Sequence, residues 1–251
     1  MIPKIIHYCW VGPRPMGDLS RRCVESWQKH LPDYHLKFWN EQNAPMEHPF
    51  MKRMYESGRF GFVPDYLRFW ALEKFGGVYL DCDVELLGSL DPYLGEDMFL
   101  SFMCTQNRIR KNPPSTALIG ARPGHPFLRE ILGVYDRLTT PRMSNSVVWD
   151  LLLKKGLQKR KERTTEFEAV TLGDLKIYHA DRFHPVEQGE EGKLRAVAKP
   201  GSVAIHYGVG EWGGPMEERG GWRKWLESRP DRKLLRPLEA WLRRFRTRAP
   251  R

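Results

Sequence analysis

Two aspartates, Asp81 and Asp83, stand two residues apart in "GGVYLDCDVELL" (76–87), directly behind an apolar run that reads as a buried strand. On one continuous strand, residues two apart face the same side. The pattern therefore predicts two carboxylates on one face, where mutual repulsion calls for a cation or a shared proton. Mg²⁺ and Mn²⁺ are held by one or two carboxylates together with phosphate oxygens. A diphosphate bridged in this way becomes a better leaving group, because its developing charge is neutralised. The chemistry foreseen is transfer of a group away from a diphosphate, with Mn²⁺ or Mg²⁺ as cofactor.

Other uses of such a short motif remain open. Most pairs of this kind are turn residues or surface acids. In aspartyl phosphohydrolases the first Asp is a nucleophile and the second a general acid. Here Glu85 occupies the place of a small hydroxyl or aliphatic residue, and the motif lies far from the start of the chain. Upstream, Asp65 and Arg68 are three apart and share a helix face. They form either an exposed ion pair or a pocket rim, with Asp65 accepting from sugar hydroxyls and Arg68 donating to hydroxyl or phosphate oxygens.

The elements that must position these residues alternate. "KIIHYCW" (4–10) reads as a buried strand, Asp18 as the cap of a helix carrying Leu19, Cys23 and Trp27, and "HLKFWN" (35–40) as a second strand. Strand, helix, strand implies a parallel sheet with crossover helices. A short helix near 48–57 precedes "FVPDYLRFWALEKFGG" (62–77), where Pro64 suits the first helical turn and Gly76-Gly77 the end. "VYLDCDVELL" follows as one strand. Further strands are expected at 98–102, 116–121 and 202–208, and helices at 125–138 and 145–156. Ligands of open α/β sheets bind at the carboxyl ends of strands, which here carry the polar and aromatic residues.

Composition narrows the class. With 41% hydrophobic and 12% aromatic residues, the 251-residue chain can fill a core, and a single catalytic-sized domain is expected over residues 1–218. Cys9, Cys23, Cys82 and Cys104 show no disulfide framework or metal-ligand spacing, and "MIPKIIHYCWVG" is too short an apolar run for a signal peptide or a membrane span. Both features suit a cytoplasmic protein, or one attached peripherally to the cytoplasmic face of a membrane. The net charge of +10 is concentrated: residues 219–251 hold twelve Lys/Arg against Glu227, Asp231 and Glu239, a balance of +9.

Four ordered blocks, "IPKIIHYCWVG" (2–12), "CVESWQKHLPDYHLKFWNE" (23–41), "FVPDYLRFWALEKFGGVYLDCDVELL" (62–87) and "AIHYGVGEW" (204–212), together resemble glycosyltransferase family 32, the DXD-containing sugar transferases related in catalytic domain to the clostridial glucosylating toxins. The resemblance implies an α/β GT-A fold, a nucleotide-sugar donor, Mn²⁺ or Mg²⁺, and transfer with retention of configuration. It places Trp10 against the donor base and His7 among the donor-binding residues. Asp65 and Arg68 hold the donor sugar, Asp81 lies near ribose and sugar, and Asp83 ligates metal. His206 and Trp212 fall where the family closes over diphosphate and metal. Glu211 stands where the family often has Ser, and is a third candidate metal ligand. The acceptor implied is a glycan, lipid-linked or not, in cell-surface polysaccharide synthesis, with uridine the first choice of base and guanosine the second.

The basic segment 219–251 reads as an amphipathic helical extension: Leu234, Leu238, Trp241 and Phe245 form a stripe between arginines. Such a helix anchors on anionic lipid, or docks on the catalytic domain with its arginines solvated. No nucleic-acid recognition motif accompanies the charge. Two rival functions remain at this level: a phosphate-ester or nucleotide-sugar hydrolase using the same aspartates, and a non-catalytic basic module acting through the tail.

Overall fold

A computed structural model describes residues 1–103, 113–157, 169–188, 194–196, 198 and 200–208. Five strands and three helices make the first half: β1 (Ile5–Cys9), α1 (Asp18–His30), β2 (His35–Trp39), α2 (Pro49–Glu56), α3 (Val63–Phe75), β3 (Gly77–Leu80), β4 (Val84–Leu86) and β5 (Met98–Phe102). The second half holds β6 (Pro114–Ala121), α4 (Pro126–Tyr135), α5 (Ser144–Lys154), β7 (Val170–Leu172), β8 (Leu175–Tyr178), α6 (Ala180–Phe183), β9 (Val186–Gln188), β10 (Leu194–Ala196) and β11 (Ala204–His206).

Seven strands form the central sheet in the order β2-β1-β3-β6-β5-β8-β7. β1 pairs in parallel with β2 and β3, and β5 with β8, whereas β6 and β7 run against their neighbours. Five of the seven strands thus share one direction, the mixed α/β sheet expected from the alternating pattern. Along β3 and β5 the side chains alternate between two cores. Tyr79, Met98 and Leu100 meet α2, α3, α4 and α5 on one face, while Val78, Leu80 and Phe99 meet α1, α6 and β4 on the other.

Two glycine positions fix this geometry. Gly76 ends α3 at φ 63° and Gly77 opens β3 at φ 104°, so the chain reverses from helix into strand through left-handed conformations that a side chain resists. Gly120 on β6 lies under the Phe99 ring, where an added Cβ would come within 2.1 Å of Cε1. Gly120→Ala should therefore cost about 3 kcal/mol, the upper end of ordinary overpacking, read as a lower urea midpoint.

Two expectations need correction. Asp18 is not the cap of α1: Gly17 occupies that position, and Asp18 is the first helical residue, paired with Arg21. "VYLDCDVELL" is not one strand either. β3 stops at Leu80, the Val84 N–H donates to the Asp81 carbonyl across a turn (3.0 Å), and β4 leaves the main sheet to pair antiparallel with β11. The carboxylates of Asp81 and Asp83 converge because of a turn and not because of strand alternation. The strands and helix between 170 and 196 were unforeseen. Cys104, Glu211, Trp212 and the extension 219–251 lie outside the described residues.

Candidate active site

The site gathers at the carboxyl ends of β1 and β3. The Asp81 N–H donates to the Ala117 carbonyl (2.8 Å), which fixes the turn against β6. α1 secures the far side: Trp27 Nε1 donates to the Val84 carbonyl (2.7 Å), and the Leu86 N–H to Ser26 Oγ (3.0 Å). The Tyr207 N–H donates to the Asp83 carbonyl (3.0 Å), extending the β4–β11 ribbon by one bond. That ribbon brings His206 to the aspartates across more than a hundred residues of chain: His206 Nε2 lies 3.3 Å from Asp83 Oδ1.

One ligand atom from each of Asp81, Asp83 and His206 lies within 4.8 Å of the others. Two carboxylates and an imidazole are an oxygen-rich donor set suited to a divalent cation. Local charge agrees: the three carboxylates Asp65, Asp81 and Asp83 face one guanidinium, Arg68, and one imidazole. Burial pushes the Asp81 carboxyl up; Arg68 opposes that shift and Asp83 adds to it, and the net direction is upward. Burial also disfavours a charged His206, but the Asp83 carboxylate outweighs it and raises this imidazole. Both shifts reflect negative charge that a cation would offset, so the residues present fit a metal.

Arg68 is the hub of the donor side. Its side chain is only 5% exposed and lies over the Tyr79 ring, 4.6 Å from the ring centre. Nε donates to the Pro64 carbonyl (3.0 Å) and Nη1 to the Thr116 carbonyl (2.6 Å). Nη1 also lies 3.2 Å from Asp81 Oδ1, and Nη2 3.5 Å from Asp65 Oδ1. Asp65 accepts a further bond from Ser144 Oγ, which in turn lies 2.7 Å from Thr116 Oγ1. Burial lifts the Asp65 carboxyl to about 6, against the pull of Arg68 and Ser144. The spacing of Asp65 and Arg68 foretold a shared face; the structure makes it a buried one.

Trp10 follows β1 at the same end of the sheet. Its N–H donates to the Trp39 carbonyl (3.1 Å) and its indole N–H to the Arg14 carbonyl (2.7 Å), which holds a half-buried ring in one orientation. His7 is differently employed. It is 1% exposed, Nε2 sits 2.8 Å from the Gly76 carbonyl, and Nδ1 accepts from Trp39 Nε1 (3.1 Å). With both ring nitrogens bonded inside the fold, His7 locks the α3–β3 reversal and offers no nitrogen to a donor.

Burial lowers the His7 imidazole to about 4. Its folded value lies below its unfolded one, so its contribution to stability is complete above pH ~6.5 and is lost as pH falls toward ~4, a change of about 3 kcal/mol. Urea melts at stepped pH should show this slope in the parent and a flatter one in His7→Gln.

Thr116, Ser144 and His184 were not foreseen. Ser144 is a common residue type at a helix start, and no local signal ties it to Asp65. His184 caps α6, is 7% exposed, and packs edge-on to His206 with ring centres 4.8 Å apart. The histidine in "FHPV" carries no mark of this role in the sequence.

Residues 17–100 match the family model described as a glycosyltransferase sugar-binding region containing a DXD motif. Inositol phosphoceramide mannosyltransferase 3 of Schizosaccharomyces pombe is 28% identical over 139 residues, 52% of this chain and 36% of the relative. Mannosyl phosphorylinositol ceramide synthase SUR1 of Saccharomyces cerevisiae is 31% identical over 143 residues, 53% of this chain and 34% of the relative. The chain thus spans about a third of the length of these curated relatives. Among solved structures, PaToxG glycosyltransferase matches 61% of this chain and 70% of its own at 15% identity and a TM-score of 0.47.

Proposed function

We propose that this chain, which over residues 17–100 belongs to the DXD-containing glycosyltransferases, transfers a hexose from a nucleoside-diphosphate sugar to a lipid-linked glycan or glycolipid. The observation that carries the reading is the convergence of Asp81, Asp83 and His206 beside the buried Asp65–Arg68 pair. The first group suits a cation bound to diphosphate, the second a sugar and its phosphate. The names of the relatives, which act on inositol phosphoceramide, support a lipid acceptor and mannose as one candidate sugar.

In this reading Asp81, Asp83 and His206 hold Mn²⁺ or Mg²⁺, which when bound neutralises charge on the departing diphosphate. The imidazole in the set favours Mn²⁺ over Mg²⁺. Asp65 accepts from sugar hydroxyls, Arg68 keeps both neighbouring carboxylates ionised and oriented, and Trp10 presents an aromatic face to the base. We extend the proposal to front-face transfer with retention, to cell-surface glycan synthesis, and to a cytoplasmic-side location with residues 230–251 against anionic lipid. A phosphohydrolase reading is disfavoured because both Asp81 oxygens face Arg68, at 3.2 and 3.4 Å, which weakens Asp81 as a nucleophile.

Thermal-shift screening against UDP- and GDP-sugars, with and without Mn²⁺, tests the donor site. A ligand at 100 times its dissociation constant adds about 2.7 kcal/mol, so one nucleotide sugar should raise the melting temperature only when Mn²⁺ is present. No shift with any of them would remove the reading.

A further inference from the structure

We propose that Ser144 is the positioning residue for Asp65, setting the carboxylate that meets the donor sugar through a hydroxyl chain that begins at Thr116. The proposal rests on the donor-site reading above. Four contacts close a ring through three elements that are remote in sequence. Arg68 Nη1 donates to the Thr116 carbonyl (2.6 Å), Thr116 Oγ1 and Ser144 Oγ lie 2.7 Å apart, Ser144 Oγ donates to Asp65 Oδ1, and Arg68 Nη2 returns to Asp65 Oδ1 at 3.5 Å.

Hydroxyl chemistry gives this ring a direction. An ionised carboxylate only accepts, so the single Ser144 proton goes to Asp65, and the Thr116–Ser144 bond must be donated by Thr116. The chain Thr116 → Ser144 → Asp65 is therefore polarised toward the carboxylate, and each bond strengthens the next. Both ring bonds on Asp65 end at Oδ1, which leaves Oδ2 outside the ring for a sugar hydroxyl. Ser144 is also the first residue of α5, whose capping position is Met143 without a side-chain cap bond. The Ser144 hydroxyl thus serves Asp65, and no capping bond explains it. The charged and titratable groups facing Asp65 are Arg68 on its own helix, Asp81 from the turn after β3, and Tyr135 from α4.

Removing the Ser144 hydroxyl withdraws a donor from the ionised form, so Asp65 should titrate higher. In Ser144→Ala, carbon-13 NMR of aspartate-labelled protein should show the Asp65 carboxyl midpoint rising by about one pH unit. The KM for the nucleotide sugar should rise about tenfold with a smaller change in kcat, since one pH unit and one decade are the same free energy. Thr116→Val should move both readouts the same way by less, and Ser144→Thr should restore them. A merely structural serine would lower the melting temperature and leave the midpoint in place. If the parent binds its nucleotide sugar while Ser144→Ala changes neither midpoint nor KM, this proposal alone is overturned. A parent that binds no nucleotide sugar overturns it together with the donor-site reading.

Discussion

Asp83→Ala is expected to reduce sugar transfer by about a thousandfold or more, the scale lost when a preorganised electrostatic contact to a leaving group is removed. The expectation rests on where Asp83 sits. It faces His206 at 3.3 Å, whereas Asp81 is already matched by Arg68 at 3.2 Å, so Asp83 contributes the larger share of uncompensated charge to a cation. The fold should survive, because the turn is held by main-chain bonds from Val84 and Tyr207 that alanine retains. The measurement is turnover of a radiolabelled nucleotide sugar, with transferred and free sugar separated, beside a circular-dichroism melt. Parent-level transfer by a folded Asp83→Ala would sink the metal-site assignment. Free sugar as the only product of the parent, with every acceptor class offered, would point to the hydrolase instead.

Arg68→Ala should produce the largest loss of stability at the site, about 3–5 kcal/mol, the cost of leaving buried carboxylates without their cation. Arg68 also satisfies the carbonyls of Pro64 and Thr116, so the truncation strands two acceptors as well as two acids. The pH dependence supplies a sharper check. Asp65 already titrates near 6 with Arg68 beside it, and loss of the cation pushes it higher. Below that value Asp65 is protonated and no longer needs a partner, so Arg68→Ala should cost less at pH 5 than at pH 8. Urea denaturation at the two pH values measures this. An equal loss at both, or a loss under about 1 kcal/mol, would mean that the pair behaves as a surface ion pair.

Much of the frame was legible before any coordinates because its signals are local. Gly and Pro punctuate "FVPDYLRFWALEKFGG", and the structure places α3 at Val63–Phe75 with Gly76 as its cap. β1, β2, α2 and β5 fall within a residue or two of their apolar runs, since each run is bounded by residues that break the pattern. The pairing of Asp65 with Arg68 and the importance of the two aspartates could likewise be read from spacing.

What the sequence by itself determined, then, is the inventory of elements in the first half of the chain and the four acid and base residues Asp65, Arg68, Asp81 and Asp83. Tertiary structure alone decided how they meet. "DVELL" has the alternation of a continuing strand, and only its pairing with Ala204–His206, remote in sequence, turns the chain out of the sheet and closes the aspartates with His206. No local pattern encodes that partner, because antiparallel pairing depends on which edge is free after the rest has packed. The same holds for Ser144 and Thr116, ordinary hydroxyl residues until α5 and β6 bring them to Asp65. Conversely His7, marked by its neighbours as a donor residue, is claimed by Gly76 and Trp39, since a buried imidazole must bond both its nitrogens within the fold that surrounds it.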